Sequence, residues 1–241
     1  MAKADFHFHL GSARIARDAD AAPAGCAISR AAGDNIRYLA FSRTHRVACA
    51  LFTHPRSTDY ETVVSAIRDR AALSYQHLEL VGGAEFVMLA PALEAAEAED
   101  LPVVVHLSRH DANRFPAADA ARLLGRILSR YPGLRVVVSH CGGENIATAA
   151  SAARDCSRVF LDTSRFEETI LRSGIALSEL AERVPPSQLV YGSDSVWAGR
   201  TAQSCDGRTL ARAFGGEYLD RIFARNARAL LRSWRGSIAA H

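Results

Sequence analysis

The chain opens with a segment, residues 5–10, in which polar and apolar side chains alternate with period two. In an extended strand this alternation places Asp5, His7 and His9 on one face and two phenylalanines with Leu10 on the other. The apolar face suits packing beneath a layer of helices. Two imidazoles one pleat apart can converge on a metal ion or be buried structural histidines, and the pair alone does not decide, because metal sites need three or four ligands.

Further along the chain, short apolar runs alternate with amphipathic helical patterns. After 5–10 the predicted strands are 25–29, 46–52, 77–81, 102–107, 134–140, 158–162 and 188–194. The predicted helices are 34–44, 60–72, 88–100, 116–131, 144–154, 177–183 and 217–234. Strands that are apolar throughout and end in a polar residue are typical of parallel strands buried on both faces. Eight strands alternating with helices predict an α/β fold, a compact (β/α)8 TIM barrel.

Composition agrees with that architecture and narrows the function. A length of 241 residues suits one barrel domain, residues 1–241, and 49% hydrophobic with 23% charged residues is typical of a globular protein. The net charge of +3 is scattered, which favours a small-molecule substrate and predicts no nucleic-acid and no membrane partner. The first ten residues lack the apolar core of a signal peptide, and the five cysteines form no CxxC pair, so we expect a reduced, cytoplasmic chain.

Polar residues of metal-binding type stand at the ends of several predicted strands. They are His7, His9, His106, His140 and Asp194. The carboxyl ends of parallel barrel strands open on one rim, where barrel enzymes carry their chemistry. A single histidine at a strand end is more often structural, but five such residues at one rim predict a metal site. Four imidazoles and a carboxylate suit Zn²⁺, with Mn²⁺ or Fe²⁺ less well discriminated.

Five motifs follow one another along the chain. They are Asp5-Phe-His-Phe-His9, Val103-Val-Val-His106, Ser139-His-Cys-Gly-Gly143, Tyr191-Gly-Ser-Asp194 and Asn226-Ala-x-x-Leu-Leu231. In this order the motifs resemble the amidohydrolase superfamily. Within it they are similar to the amidohydrolase-related (amidohydrolase 2) branch, which includes aminocarboxymuconate-semialdehyde decarboxylases and pyrone-dicarboxylate lactonases.

The resemblance implies a centre with one divalent metal ion. Its four ligands would be His7, His9, His106 and Asp194. His140 would either complete this site or act as an acid–base group. The carboxylated lysine of some superfamily members is excluded, because Lys3 is the only lysine. Glu79, or less readily His77, remains open as a ligand or a supporting residue near strand four, and Glu79 can equally be a partner for an arginine.

A metal-activated water is the expected nucleophile. We expect Asp194 to accept its proton and pass it to the leaving group, while His140 stabilises the oxyanion or acts as the acid. The expected activity is a metal-dependent hydrolase of an amide, lactam or lactone. The alternatives are a non-oxidative decarboxylase (a lyase) on the same scaffold, with His140 as base, and a TatD-like metal-dependent nuclease, with Glu79 on a second metal ion.

Substrate contacts are expected near three further residues. Arg109 and Arg165, past the fifth and seventh strands, can clamp a substrate carboxylate, although arginine is common here and each can be a surface residue. Trp197 stands where many relatives have a proline-containing turn that shapes the substrate pocket. Relatives of this kind often form dimers, so a homodimer is a further expectation.

Overall fold

The computed structural model describes residues 4–10, 25–108, 115–197 and 207–234, with Val196 and Trp197 by their backbone alone. Within these ranges, nine strands form one sheet in which every neighbouring pair is parallel. The strands are β1 (Asp5–Leu10), β2 (Gly25–Ile28), β3 (Ala48–Phe52), β4 (Leu73–His77), β5 (Val103–His106), β6 (Val136–Val138), β7 (Val159–Asp162), β8 (Leu189–Val190) and β9 (Ser195–Trp197). Their order in the sheet is β8-β7-β6-β5-β4-β3-β2-β1-β9.

Helices surround this sheet and connect its strands. They are α1 (Asn35–His45), α2 (Tyr60–Arg68), α3 (Gly83–Met88), α4 (Ala90–Ala98), α5 (Ala117–Arg130), α6 (Ile146–Asp155), α7 (Phe166–Ser173), α8 (Leu177–Arg183), α9 (Gly207–Phe214) and α10 (Asn226–Leu230). In the part of the chain that the structure describes, no helix has the length and apolar character needed to cross a bilayer.

The barrel closes at an eighth strand that is divided into two halves. The first half, β8, pairs with β7, and the second half, β9, pairs with β1. Between them the Phe6 amide donates to the Tyr191 carbonyl at 2.8 Å, and the Ser193 amide donates to the His7 carbonyl at 3.1 Å. Eight strand positions therefore form a nearly closed parallel barrel, and the predicted (β/α)8 fold is confirmed.

The period-two pattern of the first strand has the expected result. Phe6 and Phe8 are buried, and the Phe8 ring meets the Phe41 ring of α1 edge-on, with centroids 6.5 Å apart. The valines of β5 and β6 are fully buried, as apolar strands covered on both faces should be. Burial of these apolar faces fixes the register that sends His7 and His9 to the opposite side.

The fourth strand lies before the position predicted for it. Residues 73–77 form β4, whereas Leu78–Leu80, inside the predicted strand 77–81, form a 3₁₀ turn. The apolar pattern missed this strand because several of its buried side chains are polar. Ser74 donates to Thr53 Oγ1 at 3.0 Å, and Gln76 donates to Ser74 Oγ at 3.1 Å. All three side chains are buried. Such an internally hydrogen-bonded strand shows no apolar run in the sequence.

Several helices also differ from their predicted extent. The predicted closing helix 217–234 is divided into a 3₁₀ turn, a π turn at Arg221–Arg225 and α10. Three short helices, α3, α7 and α9, had no prediction of their own, because six to eight residues are too few to establish a helical period. The helix α8 has the predicted bounds.

Candidate metal centre

Strand β1 places two imidazoles next to a carboxylate from the turn between β8 and β9. The Nε2 atoms of His7 and His9 lie 3.2 Å apart. Asp194 Oδ1 lies 2.9 Å from His9 Nε2 and 3.7 Å from His7 Nε2. All three side chains are buried or nearly so. The structure therefore brings three of the five predicted rim residues into one compact group, called here the three-atom set.

The three-atom set fits a divalent ion in tetrahedral coordination. Ligand atoms at about 2.0–2.1 Å from a tetrahedral ion lie about 3.3 Å from one another. The separations of 2.9, 3.2 and 3.7 Å bracket that value. Two imidazoles and one carboxylate are also a donor set that Zn²⁺ takes at catalytic sites. The residues present thus match the metal in both chemistry and spacing.

In the Gly192-Ser193-Asp194 turn, packing requires the glycine, and hydrogen bonds hold the serine. A Cβ atom at Gly192 would lie 2.4 Å from Asp162 Oδ1, far inside the van der Waals distance. Ser193 donates from its amide and its hydroxyl to the two carboxylate oxygens of Asp5, at 2.9 and 2.6 Å. Burial raises the pKa of Asp5 to about 6 against the effect of these bonds. The turn is therefore hydrogen-bonded to β1 next to the residues of the three-atom set.

Each rim histidine is hydrogen-bonded at Nδ1 to a partner outside the three-atom set. The pairs are His7 with Asp162, His9 with the Ile28 carbonyl (2.6 Å), His106 with Glu79 (2.9 Å) and His140 with Ser164 Oγ (2.8 Å). Carbonyl and carboxylate oxygens only accept, so the first three imidazoles, when neutral, carry their proton on Nδ1. Nε2 is then the nitrogen that can bind a metal. The Ser164 hydroxyl can donate or accept, which allows His140 either tautomer.

Two of the predicted rim residues lie beside the three-atom set. The His140 ring centroid is 4.8 Å from that of His7 and 5.2 Å from that of His106. Ser108 Oγ lies 3.3 Å from His106 Nε2. The structure therefore groups His7, His9 and Asp194 directly, with His140 next to His7 and His106 beyond it.

A second cluster joins His106 to Glu79 and His77. Glu79 Oε1 lies 2.9 Å from His106 Nδ1 and 2.8 Å from His77 Nδ1. The two imidazole rings stack at 4.6 Å with 18° between their planes. Both imidazoles bond to the same carboxylate oxygen, and these three residues also form one of the groups whose potential ligand atoms lie within 4.8 Å of one another. The hydrogen bonds outweigh burial and lower the pKa of Glu79 to about 2.

The electrostatics of the rim suit cation binding. Burial lowers the pKa of His9 to about 4, and burial together with neighbouring imidazoles lowers the pKa of His140 well below its usual value. Burial alone would raise the pKa of Asp194, but its contact with the His9 imidazole and the neighbouring imidazoles of His7 and His140 lower it. His7 is the exception, because the Asp162 carboxylate outweighs burial and raises its pKa, which favours the protonated imidazole. Neutral imidazoles and ionised carboxylates are the forms that bind metal ions.

Left-handed backbone is concentrated at the ends of β6, β7 and β8. The non-glycine residues there with positive φ are His140 (54°), Cys141 (52°), Arg165 (55°) and Asp194 (51°). This conformation costs about 1–2 kcal/mol for a residue with a Cβ atom. Such strain persists where the surrounding structure enforces it, and it is typical of functional sites.

A small open cleft lies beside the His140 imidazole. Arg165, Arg172 and Ser108 are among the residues that line it. Arg165 donates to Glu168 at 2.8 Å, and its Nε lies 3.7 Å from Asp194 Oδ2. The Arg165 guanidinium is thus adjacent both to the cleft and to the three-atom set.

Two predicted substrate contacts lie outside the described residues. Arg109 is one, and the side chain of Trp197 is the other, although the Trp197 backbone pairs with Leu10 in β1. Sequence reasoning also missed Arg30, whose Nη2 lies 3.4 Å from Asp194 Oδ1. It missed Asp162 as well, although a signal was present: Asp162 ends an apolar strand, as His106 does.

Comparisons with known proteins agree with this architecture. The sequence model of a family described as Amidohydrolase matches residues 68–233. No curated protein matches the sequence. A dihydroorotase from Campylobacter jejuni is similar in structure, with a TM-score of 0.59, 13% identity and an alignment covering 96% of this chain and 83% of that one.

Two further solved structures are similar. The first, an Amidohydrolase 2 from Bifidobacterium longum subsp. infantis, has a TM-score of 0.55 and 13% identity, and the alignment covers 95% of this chain and 98% of that one. The second is a 2,6-dihydroxybenzoate decarboxylase from Rhizobium, with a TM-score of 0.56, 11% identity and coverage of 96% and 99%. At these identities the likeness shows the fold.

Proposed function

The chain belongs to the amidohydrolase family, and from this premise we propose that it is a metal-dependent hydrolase of a small carbonyl compound, an amide, lactam or lactone. The observation that carries the proposal is the three-atom set of His7, His9 and Asp194, with separations of 2.9–3.7 Å. The proposed cofactor is one divalent ion, most suitably Zn²⁺, with Mn²⁺ and Fe²⁺ as alternatives for the same donors. When bound, the ion would polarise the substrate carbonyl and make a water molecule more acidic.

His106 is proposed as the fourth ligand. Its Nδ1 faces the ionised Glu79 at 2.9 Å, so Nε2 is its basic nitrogen. The carboxylate partner makes the imidazole a stronger metal ligand, because negative charge at Nδ1–H increases electron density on the opposite nitrogen. The alternative role for Glu79, that of a ligand, is less well supported because it accepts from two imidazoles.

Asp194 is the proposed base. Its Oδ1 belongs to the three-atom set, while Oδ2 lies on the side of the Arg165 guanidinium, at 3.7 Å from Nε. The lowered pKa keeps the carboxylate ionised at neutral pH, and Oδ2 can accept a proton from the attacking water. The same low pKa favours rapid release of that proton to the leaving group.

His140 is the proposed oxyanion partner or acid. Its lowered pKa keeps the imidazole neutral at physiological pH, and it lines the cleft beside the three-atom set. When Nδ1 accepts from the Ser164 hydroxyl, the proton lies on Nε2, which can donate a hydrogen bond to developing negative charge. Arg165, on the same cleft, is proposed to bind a carboxylate of the substrate.

Non-oxidative decarboxylation is the second candidate function. The observation that favours it is the hydrogen bond between His140 Nδ1 and the Ser164 hydroxyl, which can donate or accept. If His140 Nδ1 donates to Ser164 Oγ, His140 Nε2 carries no proton and can act as a base. A 2,6-dihydroxybenzoate decarboxylase is among the structurally similar proteins. Release of CO₂ from aromatic or unsaturated acids, measured beside ring opening of lactones and lactams, separates the two reactions.

The proposal is tested by elemental analysis of the purified protein and two variants. We expect one divalent ion per chain in the wild type and loss of the ion and of turnover in His9→Ala. His45→Ala, at the end of α1, is the matched control and should keep both. Absence of metal binding, or turnover that persists after complete chelation, would overturn the proposal. Two ions per chain would favour the nuclease alternative with Glu79 as a ligand.

A further inference from the structure

Resting on the proposed function, we propose that Asp162 is the positioning residue of the metal centre: its carboxylate holds the Nδ1–H of His7 and thereby fixes the orientation and donor strength of Nε2 in the three-atom set. Asp162 ends β7, and its side chain is fully buried. Asp162 lies in none of the five sequence motifs.

The Asp162 carboxylate is held in place at both oxygens. Oδ2 is hydrogen-bonded to His7 Nδ1, and Oδ1 accepts from the Ser164 amide at 2.6 Å. Gly192 packs against Oδ1 on the far side, where even a methyl group would overlap it. The carboxylate therefore keeps one orientation, and the His7 ring that it binds keeps one orientation as well.

The two imidazoles of β1 differ in the charge of their partners. His9 Nδ1 faces the uncharged Ile28 carbonyl at 2.6 Å, whereas His7 Nδ1 faces a buried carboxylate. A carboxylate partner makes the opposite nitrogen a stronger donor, and loss of such a partner typically weakens metal binding about 10–100-fold. His7 is therefore the ligand whose strength depends on a remote charge.

Asp162 could alternatively bind an ion itself. It forms, with His7 and His140, a second group of potential ligand atoms within 4.8 Å of one another. Against this role, each Asp162 oxygen already accepts a hydrogen bond from an N–H group, from Ser164 on one side and His7 on the other. A supporting position is consistent with both contacts.

The test is Zn²⁺ affinity, measured by competition with a chromophoric chelator, in Asp162→Asn. This variant keeps the side-chain volume and one acceptor oxygen but removes the charge. We expect a loss of affinity of about 10–100-fold and a shifted visible absorption spectrum of the Co²⁺-loaded protein. Asp59→Asn is the matched control, because this carboxylate, outside the rim cluster, accepts from Asn35 instead of an imidazole. We expect its Zn²⁺ affinity and Co²⁺ spectrum to match the wild type.

The outcomes separate this inference from the proposed function. If the wild type binds Zn²⁺ and Asp162→Asn binds it equally well with an unchanged Co²⁺ spectrum, Asp162 has no positioning role and the proposed function stands. If the wild type binds no metal ion, the proposed function itself fails. Should Asp162→Asn not fold, ¹⁵N NMR of the metal-free wild type decides: a His7 proton on Nδ1 that is hydrogen-bonded to a carboxylate supports the inference, and a His7 whose only proton lies on Nε2 overturns it.

Discussion

Gly192 allows the strand ends at the rim to lie close together because it has no Cβ atom. The chain leaving β8 passes so close to β1 and β7 that a Cβ at Gly192 would lie 2.7 Å from His7 Cβ as well as 2.4 Å from Asp162 Oδ1. Neither neighbour is a flexible side-chain end, because the Cβ is attached to backbone and the carboxylate is hydrogen-bonded twice. Glycine at this position therefore determines how closely Asp194 approaches the two histidines.

We predict that Gly192→Ala weakens Zn²⁺ binding and lowers stability by about 1–3 kcal/mol, because overpacking forces the backbone or the His7–Asp162 pair to move. Isothermal calorimetry and urea unfolding measure the two effects. Gly125→Ala is the control, since a Cβ there meets nothing within 4 Å in α5. That variant should be unchanged or more stable by up to about 1 kcal/mol. Equal behaviour of the two variants would contradict the steric argument.

Much of the candidate site is readable in the sequence because a simple rule connects strand ends to a common rim. The rule selects His7, His9, His106, His140 and Asp194, and the structure groups the first two and the last directly. It does not select Ser164 or Arg30, because their contacts with His140 and Asp194 depend on turn geometry that no local pattern encodes. Predictions of this kind find candidate ligands more readily than the groups hydrogen-bonded to them.

The elements around the divided eighth strand depend on side chains that replace backbone pairing. Asn226, at the start of α10, donates from Nδ2 to the Pro186 carbonyl at 2.8 Å and to the Leu189 carbonyl at 2.6 Å. The two-residue strand β8 is thereby connected to the closing helix. This buried amide accounts physically for the asparagine in the last of the sequence motifs.

We predict that Asn226→Ala lowers the free energy of unfolding by about 1–3 kcal/mol, because two carbonyl oxygens lose a donor. Urea denaturation at neutral pH measures the change. Arg228→Ala on the exposed side of the same helix should stay within about 0.5 kcal/mol of the wild type. A similar loss in both variants would mean that helix propensity, not the buried amide, is responsible.

Strand β4 shows where element prediction from sequence ends. Its Ser74 and Gln76 are buried and bond to one another and to Thr53. Periodicity detects apolar burial, so the strands of valine are found and a strand of internally paired polar side chains is placed several residues too late. The error follows from the burial of polar side chains that are paired with one another.

At the scale of the whole molecule, the candidate metal centre connects the first barrel strand to the last. His9 and Asp194 are 185 residues apart in sequence and 2.9 Å apart in space. An ion held by both would close a long loop and resist separation of β1 from β9. Metal removal should therefore affect the barrel as a whole.

We predict that exhaustive chelation lowers Tm. Free ion at 100 times its Kd stabilises the folded state by about 2.7 kcal/mol, which corresponds to roughly 5–11 °C for a chain of this length. Scanning calorimetry with and without chelator measures the shift. His9→Ala should show no such difference, and a chelator effect that persists in this variant would place the ion elsewhere.

A cluster of charged residues far from the rim makes the stability of the fold depend on pH. Asp100 contacts Arg135 at 2.9 Å, Ser233 at 2.7 Å and Arg232 at 3.4 Å. Burial opposes these contacts but is outweighed, so the pKa of Asp100 is lowered. A carboxyl with a lower pKa in the folded state stabilises the fold above its unfolded pKa, and this contribution is lost as pH falls.

We predict that Asp100→Asn lowers Tm by up to about 3 °C at pH 7, because exposed ion pairs contribute little. The difference from the wild type should shrink between pH 5 and pH 3. Thermal scans across this range test it, with the exposed Asp69→Asn as the neutral control. A difference that grows on acidification would reverse the sign of the argument.

Residues with left-handed backbone at the strand ends lower stability at positions where side chains are proposed to act in catalysis. Arg165 and Asp194 adopt a conformation that glycine or asparagine would hold more cheaply. Laboratory selection for heat resistance alone should accumulate such replacements at these two positions and extinguish turnover as it does so. Selection that also demands turnover should leave them untouched and improve the outer helices instead.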